Sequence, residues 1–217
     1  MRDADVLLQK ILAVPLQKKR RVKTYLATKN AGKLGEIRTM LAGSSIDLDT
    51  FDEYVDPEEG EESYVSNALL KARALRDQLA RAGIRAAVLA DDSGIELDAL
   101  DGAPGVLSAR YAGETTPWPQ RLETMMNEVR GLPEDRRGAR FVCVMALILP
   151  DGREIVVQGD VRGRITTELR GSNGFGYDPI FFYPPIDKTF GEIPEAEKNQ
   201  LSHRGRAARA MLEALAS

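Results

Sequence analysis

Apolar and polar positions alternate along the chain in two rhythms, one of strands and one of helices. Val22 to Thr28 reads as a strand, the loop around Lys29 to Gly32 follows, and Lys33 to Leu41 has helical composition. Val65, Ala68, Leu69, Ala72, Leu75 and Leu79 share one face of a long helix, which Ser63 can cap and Gly83 ends. Ala86 to Ala90 is a short apolar strand running straight into Asp91-Asp92-Ser93-Gly94. Thr116 and Pro117 predict a helix start, cap followed by Pro in the first position; Gly131 follows its end, and Met125 and Met126 lie on its apolar face. Ala139 to Leu149 and Arg153 to Arg164 read as long strands joined in a hairpin at Pro150-Asp151-Gly152. Ser202 to Leu215 closes the chain as a helix with Ala207, Met211, Leu212 and Leu215 inward. Helices between strands plus one long antiparallel pair predict an α/β fold with a mixed sheet.

Residues 1–21 stand apart and read as a loosely ordered N-terminal extension, leaving 22–217 as a single domain. Leu7, Leu8, Ile11 and Leu12 have helical spacing, then Pro15 and the basic run Lys18 to Arg21 follow. Asp3 and Asp5 count against a transit peptide, and the apolar part precedes the basic part, the reverse of a secretory signal.

Composition narrows the chemistry. The 217 residues carry 30 Lys+Arg and 33 Asp+Glu, one His and one Cys, for a net charge of −3. One Cys forbids an internal disulfide and points to a reducing, cytoplasmic setting; Cys143 itself sits in the longest apolar run, Phe141 to Leu149, and reads as core. That run of nine residues is too short to span a bilayer. A lone His and a lone Cys exclude two-His and cysteine zinc sites, so a metal here is a hard ion held by oxygen. The near-neutral total argues against nucleic-acid binding by bulk charge.

Five stretches carry candidate chemistry. Thr28-Lys29-Asn30-Ala31-Gly32-Lys33, between strand and helix, is either an anion-binding helix start or a plain strand-turn-helix corner; it lacks the Walker A residues. Asp91 and Asp92 close a buried strand, where open α/β sheets place ligands; adjacent side chains diverge, so one can bind metal or activate water while the other bonds the local turn, or both are solvated in an Asx turn. The run Asp52 to Glu62 is a solvated, flexible segment or the source of one Glu that shares Mg²⁺ with Asp92. Gly174-Phe175-Gly176-Tyr177-Asp178-Pro179 offers a stacking ring and a carboxylate, or is a turn with its aromatics packed inward. Lys198 and Ser202-His203-Arg204-Gly205-Arg206 surround the last helix start, where positive charge costs about 0.3–1 kcal/mol per group unless an anion completes the site. Two basic helix starts and a carboxylate cluster together imply a polyphosphate with a divalent ion. Trp118, beside two prolines, reads as packing or a dimer contact.

At these residues the sequence resembles the inosine triphosphate pyrophosphatase family, the XTP/dITP diphosphatases. The resemblance covers about Val22 to Leu215. It rests on Thr28-x-Asn30-x-x-Lys33-x-x-Glu36, Asn67-Ala68 with Lys71-Ala72-Arg73, and Ala90-Asp91-Asp92-Ser93-Gly94. Gly102-Ala103-Pro104-Gly105, Ser108-Ala109-Arg110-Tyr111, Gly174 to Pro179 and Ser202-His203-Arg204-Gly205 complete it. The resemblance implies a homodimer of elongated, two-lobed α/β subunits, each with a twisted mixed sheet flanked by helices and a nucleotide cleft between the lobes. It implies Mg²⁺-dependent hydrolysis of ITP, dITP and XTP to the monophosphate and pyrophosphate. By the same token Asp92 is the general base and a metal ligand, with Glu58 the best match for the second metal carboxylate and Glu59 or Glu61 as alternatives. Ser93 lies beside the substrate, Thr28 to Lys33 and Lys198 hold phosphates, and Phe175, Gly176, Tyr177, Asp178, His203 and Arg204 hold the base.

Overall fold

The structure is a computed structural model that describes residues 21–217. Apart from Arg21, the N-terminal extension lies outside the described residues. Eight strands among the described residues form one sheet in the order β2-β1-β3-β5-β6-β7-β8, with β4 pairing β3. β1 (Val22–Ala27) runs parallel to β2 (Ile46–Asp49) and to β3 (Ala87–Leu97). Helices α1 (Ala31–Leu41) and α2 (Tyr64–Arg81) make these parallel crossovers possible. β5 (Gly138–Ile148) and β6 (Glu154–Ile165) form the expected long hairpin, and β5 pairs antiparallel with β3. β4 (Pro104–Gly105), β7 (Phe181–Tyr183) and β8 (Lys188–Thr189) are short additions, and α3 (Trp118–Arg130), α4 (Glu195–Leu201) and α5 (His203–Ala216) complete the order. This is the mixed, helix-flanked sheet expected from the element pattern.

The alternation of β3 and β5 side chains divides the core. On one face Leu89, Cys143, Met145 and Leu147 pack under Ile37 and Leu41 of α1 and Ala207, Ala208 and Met211 of α5. On the other, Val88, Ala90, Val144 and Ala146 meet Ala68, Ala72, Leu75 and Leu79 of α2. Farther along the same strands Ile95, Leu97, Ala139 and Phe141 enter a second lobe with α3, Phe181 and Phe190. One sheet thus runs through two lobes, and the change of core occurs at residues 91–94.

Four expectations change. Asp91-Asp92-Ser93-Gly94 is not a turn after a strand: β3 continues through it, pairing Asp91 with Met145 and Gly94 with Val142. Backbone bonding to the apolar strand β5 overrides the poor strand propensity of Asp, Ser and Gly. Pro117 is the cap of α3 rather than its first residue, and the Thr116 hydroxyl donates back to the Ala112 carbonyl. Val65 is 42% exposed, while Asn67 and Lys71 take buried places on the α2 face assigned to apolar residues. The acidic stretch is anchored: the Asn67 amide bonds both backbone groups of Gly60, and the Gln78 amide does the same for Val55.

Candidate active site

A cleft opens where α1, β3, the 174–178 segment and the α4–α5 corner converge. Its floor is β3. Successive side chains of a strand point to opposite faces, and both faces carry helices, so the neighbouring carboxylates Asp91 and Asp92 meet different partners. Asp91 Oδ2 lies 3.1 Å from Lys33 Nζ and 3.5 Å from Arg204 Nε, and accepts from Ser93 Oγ at 3.3 Å. Burial alone raises its pKa, but Lys33, Arg204 and Lys71 outweigh burial and hold it well below the usual carboxylate range. Asp92 faces α2, where Lys71 Nζ donates to its Oδ1 at 2.8 Å and the Asn67 amide to its Oδ2 at 3.3 Å. Here burial prevails over Lys71, and the Asp92 pKa is raised.

Around the first helix start, Thr28, Lys29, Asn30 and Lys33 line the cleft. Asn30 caps α1 by accepting from the Lys33 N–H at 3.1 Å, and Thr28 Oγ1 accepts from the Asn30 N–H at 3.2 Å. Ala31 is exposed on α1, and Gly32 faces the Phe175 ring so closely that an added Cβ would stand 2.9 Å from Cδ1.

At the other wall the positive charge is not left waiting for an anion, as the helix-start argument required. Lys198 sits in the last turn of α4, a separate helix, where the helix dipole favours a cation. It donates to Glu36 and Asp178, and Arg204 donates to Glu36 and, at 3.0 Å, to Ser93 Oγ. Arg206 turns away to the Asp160 carbonyl and the Tyr183 hydroxyl. The chain itself supplies the counter-charge. His203 stacks on Phe141 at 4.5 Å with its Nδ1 buried and unpartnered. Burial first, then Arg204 and Lys198, depress its pKa well below 6.5, so the imidazole is neutral near pH 7.

The 174–178 segment folds over the cleft through Asp178, whose Oδ2 accepts from the Phe175 N–H at 2.8 Å as well as from Lys198. Burial raises the Asp178 pKa against the pull of Lys198. Gly174 and Gly176 both adopt left-handed φ, 72° and 63°, which lets the chain turn twice around Phe175. The Phe175 ring lies over two cations, 4.8 Å from Lys198 Nζ and 5.5 Å from Arg204 Cζ. Tyr177 donates to the Ser108 carbonyl at 2.8 Å and meets Trp118 edge-on, so Trp118 is a wall of the cleft. Cys143 is core, its thiol pushed by burial up to about 12.

Of the acidic loop, Asp56 and Glu59 line the cleft; Glu58 does not. Glu59 Oε1 accepts from Lys71 Nζ at 2.9 Å, so one ammonium bridges Glu59 and Asp92. Among the described residues no group of three or more His, Cys, Asp or Glu side chains converges as a ready metal cluster. Glu36, Lys71 and Asn67 organise the cleft although the sequence assigns them no role, whereas Glu59 stands among the alternatives for the metal carboxylate. A signal existed: Glu36, Asn67 and Lys71 are charged or amide side chains on buried helix faces.

The Ham1 family sequence model matches residues 24–214. A dITP/XTP pyrophosphatase of Exiguobacterium sibiricum is 42% identical over 197 residues, covering 89% of this chain and 97% of that protein. One of Halalkalibacterium halodurans is 43% identical over 185 residues, 84% and 93% of the two chains. A HAM1 protein from Coxiella burnetii superposes with a TM-score of 0.79 at 36% identity, covering 90% of this chain and 98% of that one. The Staphylococcus aureus Ham1 protein gives a TM-score of 0.76 at 35% identity, covering 89% and 97%. Fold, motif order and near full-length similarity agree: the chain belongs to the Ham1 family.

Proposed function

We propose that the protein hydrolyses deaminated purine nucleoside triphosphates, ITP, dITP and XTP, between the α- and β-phosphates, releasing the monophosphate and pyrophosphate and so clearing the nucleotide pool. The observation that carries the chemistry is Asp92, a buried carboxylate on the cleft floor with a raised pKa, steadied by Lys71. The names of the relatives support the substrate class. Asp92 orients a water and takes its proton as oxygen attacks the α-phosphorus; the P–O bond to the β-phosphate breaks and pyrophosphate leaves. Lys33 stabilises the charge that develops and Thr28 to Lys33 cradle the phosphates, while Lys198 shares the Glu36 carboxylate with Arg204 at the base end. Phe175 offers its ring to the base, alongside Gly176, Tyr177 and Asp178, and neutral His203 and Arg204 supply donors to a purine 6-keto oxygen. Adenine presents a donor there and leaves them unpaired, a mismatch of about 1–3 kcal/mol.

Charge balance supports a divalent ion. Five cations (Lys29, Lys33, Lys71, Lys198, Arg204) and five carboxylates (Asp56, Glu59, Asp91, Asp92, Asp178) line the cleft. A triphosphate entering a cleft without surplus positive charge needs cations of its own. Asp92 and Glu59, already converging on one ammonium, are hard oxygen donors suited to Mg²⁺, with water and phosphate completing its shell. When bound, Mg²⁺ would neutralise phosphate charge and polarise the phosphoryl oxygens. This replaces Glu58 with Glu59 as the preferred second carboxylate.

The reading takes residues 22–217 as one catalytic domain acting as a homodimer in the cytoplasm. No helix among the described residues is long and apolar enough to cross a membrane. Incubation with ITP and Mg²⁺, with and without chelator, tests the reaction: chelator-sensitive pyrophosphate release is expected. ITP bound without release would make the protein a nucleotide sensor. Light scattering after size exclusion tests the dimer.

A further inference from the structure

Glu36 is only 4% exposed and takes no direct part in the proposed reaction. Its two oxygens go to partners 162 and 168 residues away, Oε1 to Lys198 on α4 and Oε2 to Arg204 on α5. Lys and Arg side chains are long and rotamer-rich; Asp178 and Ser93 anchor each cation separately, and the Glu36 carboxylate is what ties the two to each other. Glu36 is also one helical turn beyond Lys33, on the helix that begins at the loop from Thr28, so the bridge ties that loop to the opposite wall.

We propose that Glu36 is a positioning residue for substrate discrimination: by bridging Lys198 and Arg204 it fixes the base-reading wall relative to the phosphate loop. The inference rests on the reading of Lys198 and Arg204 as nucleotide contacts. A correctly read base then leaves the α-phosphate aligned on Asp92, and a base that disturbs Arg204 disturbs the loop through Glu36.

The test is kcat/KM for ITP and for ATP in the wild type, Glu36→Gln and Glu36→Asp, with thermal melts of each. Glu36→Asp retains the charge, which protects the fold, but is one methylene too short to reach both cations. Both variants are expected to lose about 10- to 100-fold on ITP with little change on ATP, so the ITP/ATP ratio collapses. In an Arg204→Ala background the same changes should cost less than threefold. Equal losses on ITP and ATP, or full losses in the Arg204→Ala background, would show a purely structural residue and overturn the proposal. A wild type that releases no pyrophosphate from ITP overturns the underlying reading instead, so the two failures are distinguishable.

Discussion

Asp91 and Asp92 are adjacent in β3 yet point to opposite faces of the sheet, Asp91 to Lys33 and Arg204 and Asp92 to Lys71. The pleat gives two identical side chains opposite pKa shifts, one lowered and one raised. One is suited to hold cations in place, the other to accept a proton.

Substitution separates these roles. Asp92→Asn should lower turnover by about 10²- to 10⁴-fold, the usual worth of a general base, with nucleotide binding retained. Asp91→Asn should weaken binding and lower the melting temperature, because Lys33 and Arg204 lose a buried partner. Pyrophosphate release and calorimetric ITP titration measure both; near-normal turnover of Asp92→Asn sinks the assignment.

The acid limb of kcat/KM should lie above 3.8, since burial raises Asp92 and protonation removes the base. Lys71 opposes that rise, so Lys71→Met should move the limb to higher pH. A pH–rate profile of residual activity decides this, and an unmoved limb counts against Asp92. Stability divides by residue. The lowered Asp91 stabilises the fold above its unfolded pKa, a contribution lost as pH falls through its folded value. The raised Asp92 and Asp178 cost stability at neutral pH, and that cost fades as pH falls through their folded values.

Gly32→Ala should separate activity from stability. Ala is the better helix former by about 1 kcal/mol, so the melting temperature should hold or rise. The new Cβ would sit 2.9 Å from Phe175 and must displace that ring from its place over Lys198 and Arg204. A roughly 10-fold rise in KM for ITP is expected; an unchanged KM would falsify the role given to Phe175.

Gly94→Ala should fail differently. Its Cβ would stand 2.2 Å from the Gly105 carbonyl and 2.7 Å from Ser108 Oγ, and backbone cannot yield as a ring can. Overpacking of this kind costs about 1–3 kcal/mol or more. The melting temperature should therefore fall by several degrees, at about 2–4 °C per kcal/mol for a chain of this size.

Contiguous motifs were legible because their chemistry is local. Thr28 to Lys33, Asp91 to Gly94, Gly174 to Asp178 and Ser202 to Arg204 each contribute residues to the cleft, and the strand and helix rhythm placed most of the elements around them. The structure departs from the local pattern where distant partners dictate form. The strand through Asp91 to Gly94 exists because β5 supplies its ladder, and Lys71 can be buried because Asp92 and Glu59 reach its ammonium.

By itself, then, the sequence determined the α/β alternation, the Ser63 cap of α2 and the set of charged residues available, since propensity, periodicity and capping act within a few residues. Tertiary structure alone decided which charges meet. Glu36 bridges Lys198 and Arg204, Asp91 takes Lys33, and Glu59 rather than Glu58 reaches Lys71. The reason is physical: electrostatic pairing in a buried cleft depends on distances of a few ångströms between residues 12 to 168 positions apart in the chain, and those distances exist only once the sheet has formed.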